Sequence, residues 1–192
     1  MINPIEILIF IIGSSFGAVI VYLLLSKKIK QYKQLSLTDQ LTGLHNDRAF
    51  NGRFEFEINR CKRYHLPLSI LLIDVDNFKT INSNFGYKIG DKVLQEITNR
   101  IKPELRNTDL FFRYKLGDEL IIMALNTNKR GANELSIRIK NKINYSFFSI
   151  DNKNKKVTIS IGVSEFDLSN PKKDIEKEAE KNLKEDKKNK NE

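Results

Sequence analysis

Residues 68–91 read LSILLIDVDNFKTINSNFGYKIGD, and this stretch decides the architecture. From Leu68 to Asp76 it is an apolar run, β-branched in part, that starts after Pro67 and ends in carboxylates. Its length and flanks favour a buried strand over a helix. Asp74-Val75-Asp76 then stands at the carboxyl end of that strand. Acids placed there suit Mg²⁺, a hard cation that takes oxygen ligands and substrate phosphates. Asn77-Phe78-Lys79 follows, and could offer backbone N–H groups and one ammonium to phosphates. Strand ends also carry solvated acids, so Asp-x-Asp by itself leaves both readings open.

Outward from this strand the elements alternate. A turn-rich join from Leu37 to Asn46 precedes a helix over roughly 47–63, and the glycines after Phe85 lead into another over about 90–105. A hairpin follows, Leu110 to Tyr114 and Leu120 to Leu125, with Gly117-Asp118-Glu119 in its turn. Glycine there lets backbone approach a ligand, and the acids could complete a metal site. A helix over about 132–143, a strand from Val157 to Ser164 and a charged helix from about 172 close the chain. Strands mixed with helices at this spacing predict an α/β (α+β) fold, an antiparallel or mixed sheet with helices packed on it.

The chain of 192 residues is long enough for one ordinary domain and little besides. With 40% hydrophobic and 30% charged residues it is globular rather than disordered. The net charge of +9 favours anionic partners: nucleotides, nucleic acid or an acidic lipid surface. Nucleic acid is not expected as a partner, because no binding motif or aromatic-basic stacking run accompanies the charge. The single cysteine, Cys61, cannot form an internal disulfide and sits in a helix-like run, where packing is its expected role.

From Ile7 to Ser26 run 20 uncharged, mostly apolar residues. At 1.5 Å per residue they reach roughly 30 Å, the hydrocarbon thickness of a bilayer. A cleaved signal peptide would want a basic n-region and a small-residue cleavage site. Only Glu6 is charged before the stretch, which ends in Tyr22-Leu23-Leu24-Leu25, so a permanent anchor is expected. Lys27, Lys28, Lys30 and Lys33 follow directly, which places everything after Ser26 in the cytoplasm. The expected organisation is an anchor over 1–26, a short helical stalk over 27–38 and a cytoplasmic domain over 39–192. Gly13 and Gly17 have the spacing that lets two membrane helices approach closely.

Four segments resemble the GGDEF-domain family. Asp39 to Asn46 (DQLTGLHN) is similar to its opening D-x-L-T-G-L-x-N, and Asp74 to Asp91 to its D-x-D-x-F-K-x-I-N…G-H-x-x-G-D. Arg113 to Leu120 (RYKLGDEL) looks like a variant of R-Y-G-G-D-E-F, and Val157 to Val163 resembles the late T-x-S-x-G-V strand. The resemblance implies a nucleotidyl-cyclase-like, mostly antiparallel sheet and a diguanylate cyclase that condenses two GTP into cyclic di-GMP at a homodimer interface. It implies that Asp74, Asp118 and the Val75 carbonyl hold Mg²⁺ or Mn²⁺, with Glu119 assisting catalysis. Asn82 and Asp91 match the positions that read guanine. Asn77, Phe78, Lys79 and Lys187 match the phosphate side, and Arg106 and Asp109 match the R-x-x-D of a product-feedback site.

The departures are concentrated in the loop. Leu116 stands for its first glycine, Leu120 for its phenylalanine, and Lys115 is one residue extra. Tyr87 and Ser83 replace a usual histidine and aspartate, and Lys190 stands near an expected arginine. These changes keep a second reading open: a catalytically silent module that binds GTP or cyclic di-GMP and regulates a membrane partner.

Overall fold

The computed structural model describes residues 3, 19–26, 28, 36–115, 117–150, 153–170 and 174–190. The expected span over 7–26 and stalk over 27–38 lie for the most part outside these residues, as do Gly13, Gly17 and Leu116. Residues 19–26 are helical, and no helix among the described residues is long and apolar enough to cross a membrane. The chain divides into two compact units, Met1–Ser36 and Leu37–Glu192, and the elements below belong to the second.

In chain order they are α1 (Asp47–Tyr64), β1 (Leu68–Val75), α2 (Phe78–Phe85), α3 (Tyr87–Ile101), a 3₁₀ turn (Lys102–Glu104), β2 (Leu110–Arg113), β3 (Leu120–Leu125), α4 (Lys129–Asn144), β4 (Phe147–Ile150), β5 (Lys153–Lys156), β6 (Ile159–Glu165) and α5 (Ile175–Lys188). Strands β2, β3, β1 and β6 form one sheet in that order, and every pairing in it is antiparallel. β4 and β5 make a separate hairpin.

Central β1 is buried on both faces, which is why its sequence is a continuous apolar run rather than an alternation. The two faces still sort by parity. Leu71, Ile73 and Val75 join Val93, Leu94 and Ile97 of α3 and Leu135 and Ile139 of α4 in one core. Leu68, Ile70 and Leu72 join Phe50 of α1 and Ala179 and Leu183 of α5 in the other. Helices therefore cover the sheet on both sides.

On β6 the residues facing α5 are small: Ser160, Gly162 and Ser164. A methyl group at Gly162 would lie 2.0 Å from the Ala179 carbonyl oxygen and 2.4 Å from Leu183 N. The helix is thus seated directly on strand backbone, and side-chain hydrogen bonds fix its register. Asn182 Nδ2 donates to the Val163 carbonyl at 2.7 Å, and Ile161 N donates to Asp186 Oδ2 at 2.8 Å.

Three features differ from expectation. The helix expected over 90–105 is α3, which starts three residues earlier and ends in a 3₁₀ turn after Ile101, and it is preceded across Gly86 by a helix that was not expected, α2. Asn77-Phe78-Lys79 is not an open loop, because Asn77 (φ +56) is the N-cap of α2 and its carbonyl accepts from Thr80 N and Ile81 N. The β4–β5 hairpin was not legible, since β5 reads KNKK and offers no apolar period.

Candidate active site

The ends of β1 and β3 gather the acids. Ile73 pairs with Leu120, so Asp74 leaves β1 beside the turn that carries Asp118 and Glu119. Burial raises the Asp118 carboxyl above its ordinary value, and the charge of Asp74 raises it further. Glu119 is also raised, again by burial first, while Lys115 pulls it back and Asp74 pushes it up. Glu119 Oε2 is buried without a hydrogen-bond donor. A cluster of acids held above their usual range in a cleft marks a place where a cation would be favoured.

One cation of the chain already points there. Lys187 Nζ of α5 sits 2.6 Å from Asp74 Oδ1. The cleft beneath it, about 250 Å³, is lined by Leu72, Asp74, Glu119, Glu180, Leu183, Lys184 and Lys187. Among the described residues no three His, Cys, Asp or Glu side chains converge as a ready metal site. The fit to Mg²⁺ or Mn²⁺ rests instead on two mutually repelling carboxylates and an ammonium drawn to one of them. Asp74 and Asp118, with the Val75 carbonyl, are the residues that would hold such an ion.

The second acid of the Asp-x-Asp pair is different. Asp76 accepts from Thr158 Oγ1 at 2.5 Å, Ser160 Oγ at 2.6 Å and Lys190 Nζ at 2.8 Å. Burial alone would raise its carboxyl, but these donors outweigh it and hold Asp76 below the ordinary range. Asp76 therefore fastens β1 to β6 and to the end of α5. Beside it a second cleft, about 290 Å³, is lined by Asp76, Asn77, Thr158, Lys187 and Lys190. Lys187 borders both clefts, and Lys79 is exposed on the first turn of α2.

Asn82 and Asp91 come from α2 and α3. Asn82 Oδ1 is buried without a partner, and a methyl group on Gly90 would lie 1.9 Å from it. The missing side chain at 90 leaves the amide its place, next to exposed Asp91. Phe78 is half-buried against the core rather than presented to solvent, and its ring would lie 3.3 Å from the same methyl.

The hairpin loop is tied down from two sides. Arg113 Nη1 donates to both oxygens of Asp39 at 3.1 Å, while its Nη2 donates to the Gly117 carbonyl at 2.8 Å. Asp39 in turn accepts from Thr42 N and Thr42 Oγ1 at 2.9 and 2.7 Å. Gly117 has φ +125, a conformation glycine alone adopts readily, and Lys115 has φ +52. Arg106 and Asp109 lie apart from this cluster in sequence and element, at the entry to β2. Asp109 Oδ2 accepts from Arg106 N at 2.9 Å, and the Arg106 side chain is exposed.

Sequence reasoning missed Glu176, Glu180 and Lys184 on α5, the use of Asp76 as a fastener, and the Asp39–Arg113 link. The Glu176/Glu180 spacing of four was a readable sign that two acids share one helix face. What it could not give was the loop they face.

The family described as "Diguanylate cyclase, GGDEF domain" matches residues 36–192. Response regulator PleD of Caulobacter vibrioides is 41% identical over 133 residues, 68% of this chain and 29% of that protein. Diguanylate cyclase A of Treponema denticola is 41% identical over 136 residues, 70% of this chain and 36% of that protein. The chain thus spans well under half the length of these curated relatives. Among solved structures, diguanylate cyclase SiaD in complex with its activator SiaC, from Pseudomonas aeruginosa, matches with a TM-score of 0.75 at 25% identity. That match covers 96% of this chain and 75% of SiaD.

Proposed function

Because the chain belongs to the GGDEF diguanylate cyclase domain family, we propose that it condenses two GTP molecules into cyclic di-GMP, releasing two pyrophosphates. In each half-reaction the 3′-hydroxyl of one GTP gives up its proton to water as its oxygen bonds the α-phosphorus of the other. The bond from that phosphorus to the bridging oxygen breaks, and pyrophosphate leaves with its electron pair. Two domains, each holding one GTP, must face each other, so the active form is a homodimer.

The juxtaposition of Asp74 and Asp118 across the β1–β3 pair carries this reading. A bound Mg²⁺ or Mn²⁺ would neutralise phosphate charge and polarise the reacting oxygens. Asp74, Asp118 and the Val75 carbonyl would hold it there, and Glu119 orders the turn beside it. Asn82 and Asp91 read the guanine edge: a carboxylate accepts from N1–H and the exocyclic amino group, and an amide both donates and accepts. Asn77, Phe78, Lys79 and Lys187 form the triphosphate side, where Lys187 exchanges Asp74 for a phosphate oxygen. The domain works in the cytoplasm, tethered to the inner membrane by a single pass through residues 7–26. Arg106 and Asp109 form a feedback site for cyclic di-GMP.

The extra Lys115 and the leucine at 116 favour one other reading, a silent module that binds GTP or cyclic di-GMP and regulates a membrane partner. The test uses the full-length protein in nanodiscs with GTP and Mg²⁺, the nucleotides being separated and identified by mass. Cyclic di-GMP is the expected product. Folded, dimeric protein that binds GTP and leaves it intact would move the assignment to the silent module.

A further inference from the structure

The residue that sets this hairpin loop apart, Lys115, is also the one that fastens it to α5. Its ammonium lies 2.8 Å from Glu180 Oε1 and 3.8 Å from Glu119 Oε2. The neighbouring Tyr114 hydroxyl donates to Glu176 Oε2, one helical turn before Glu180. Two consecutive loop residues thus meet two acids spaced i, i+4 on one face of α5. Glu119 Oε2 is buried and has no hydrogen-bond donor, so the ammonium is the nearest cation in contact with it. Glu119 and Glu180 line the same cleft as Asp74 and Lys187.

We propose that Lys115 is a positioning residue: its bridge between Glu180 and Glu119 holds the enlarged loop against α5, so that Asp118 and Glu119 face Asp74. The inference rests on the cyclase assignment of this cleft but concerns loop placement. A lysine in the left-handed region, as Lys115 is at φ +52, costs backbone energy. The bridge offsets part of that cost and fixes a turn that lacks its first glycine. Both side chains are partly exposed, 47% for Lys115 and 39% for Glu180, so the pair adds little to global stability. Its effect falls on the acids beside it.

The pair can be tested by charge reversal in the full-length protein, using K115E, E180K and the double variant K115E/E180K. Mn²⁺ binding in the presence of a non-reactive GTP analogue is followed by electron paramagnetic resonance, and kcat and KM for GTP are measured alongside. If Lys115 acted only through its field, K115E would add negative charge and tighten Mn²⁺ binding. Positioning predicts the opposite: K115E and E180K each weaken Mn²⁺ binding and lower kcat by about tenfold, with KM changed far less. Each keeps its melting temperature within about 4 °C of the wild type. The double variant re-forms the pair with reversed polarity and recovers most of both losses. Tighter binding by K115E, or no recovery in the double variant, overturns the proposal. A wild type that binds Mn²⁺ but makes no cyclic di-GMP would sink the cyclase assignment, while the binding data still decide the role of Lys115.

Discussion

At the scale of single residues, the two acids of Asp74-Val75-Asp76 do separate jobs. Asp76 spends its oxygens on Thr158, Ser160 and Lys190, whereas Asp74 faces Asp118 and Lys187. Asp118 is raised by burial and by Asp74, so its ionised form strains the metal-free fold. Asp118→Asn should therefore abolish cyclic di-GMP production while leaving the melting temperature unchanged or higher, measured by product analysis and thermal unfolding. Mg²⁺ with GTP should stabilise the wild type and not the variant. The acid limb of stability has the other sign. Asp76 and Asp39 are held below their unfolded values, so their contribution is complete above the ordinary carboxylate range and is lost as pH falls from there through their lowered folded values. Asp76→Asn should flatten that loss, as read from denaturant midpoints between about pH 5 and pH 2. At Gly90 an added methyl would strike Asn82 Oδ1 rather than backbone. Gly90→Ala should raise KM for GTP by about tenfold or more with a small change in melting temperature. An unchanged KM would remove Asn82 from guanine recognition. The sequence carried most of this cluster, since Asp74, Asn82, Asp91 and Asp118 fall inside spaced motifs. The resemblance set Asp74 apart as the metal acid, but the role of Asp76 was not legible, because its donors come from the start of β6 and the end of α5, more than eighty residues away in the chain.

At the scale of elements, what could be read followed burial. β1 and β3 are apolar enough to be recognised from composition, and α1, α4 and α5 carry a helical period or a charged face. The helix α2 and the β4–β5 hairpin escaped because one is only eight residues long and the other rests on a lysine-rich strand. The seam between β6 and α5 is the joint that presents Lys187 and Glu180 to the cleft. Gly162 permits it, since the Ala179 carbonyl and Leu183 amide leave no room for a methyl group. Gly162→Ala should push the helix outward and destabilise the domain by about 3 kcal/mol, seen as a lowered denaturant midpoint. The same variant should lose activity out of proportion to its unfolded fraction, because both clefts border α5.

At the scale of the molecule, the proposed reaction needs two domains, and the chain's own apolar N-terminal stretch would supply their proximity. A tethered domain meets its partner at an effective concentration set by the tether rather than by the solution. The unit Leu37–Glu192 taken alone should show a specific activity that rises with protein concentration. The full chain in bilayers should keep its specific activity on dilution. Equal concentration dependence in the two preparations would remove the anchor from the mechanism. The order of strands, β2-β3-β1-β6, has a further consequence for how the protein is made. The central strand appears first in the chain, yet the partner of Ser69 on one side is Ala124 and on the other Glu165. At roughly 5–20 residues per second, a ribosome leaves β1 without its second neighbour for about 5–20 s. During that interval a strongly apolar strand has one bare edge on the nascent chain. Its fate then depends on how soon β6 emerges to cover that edge.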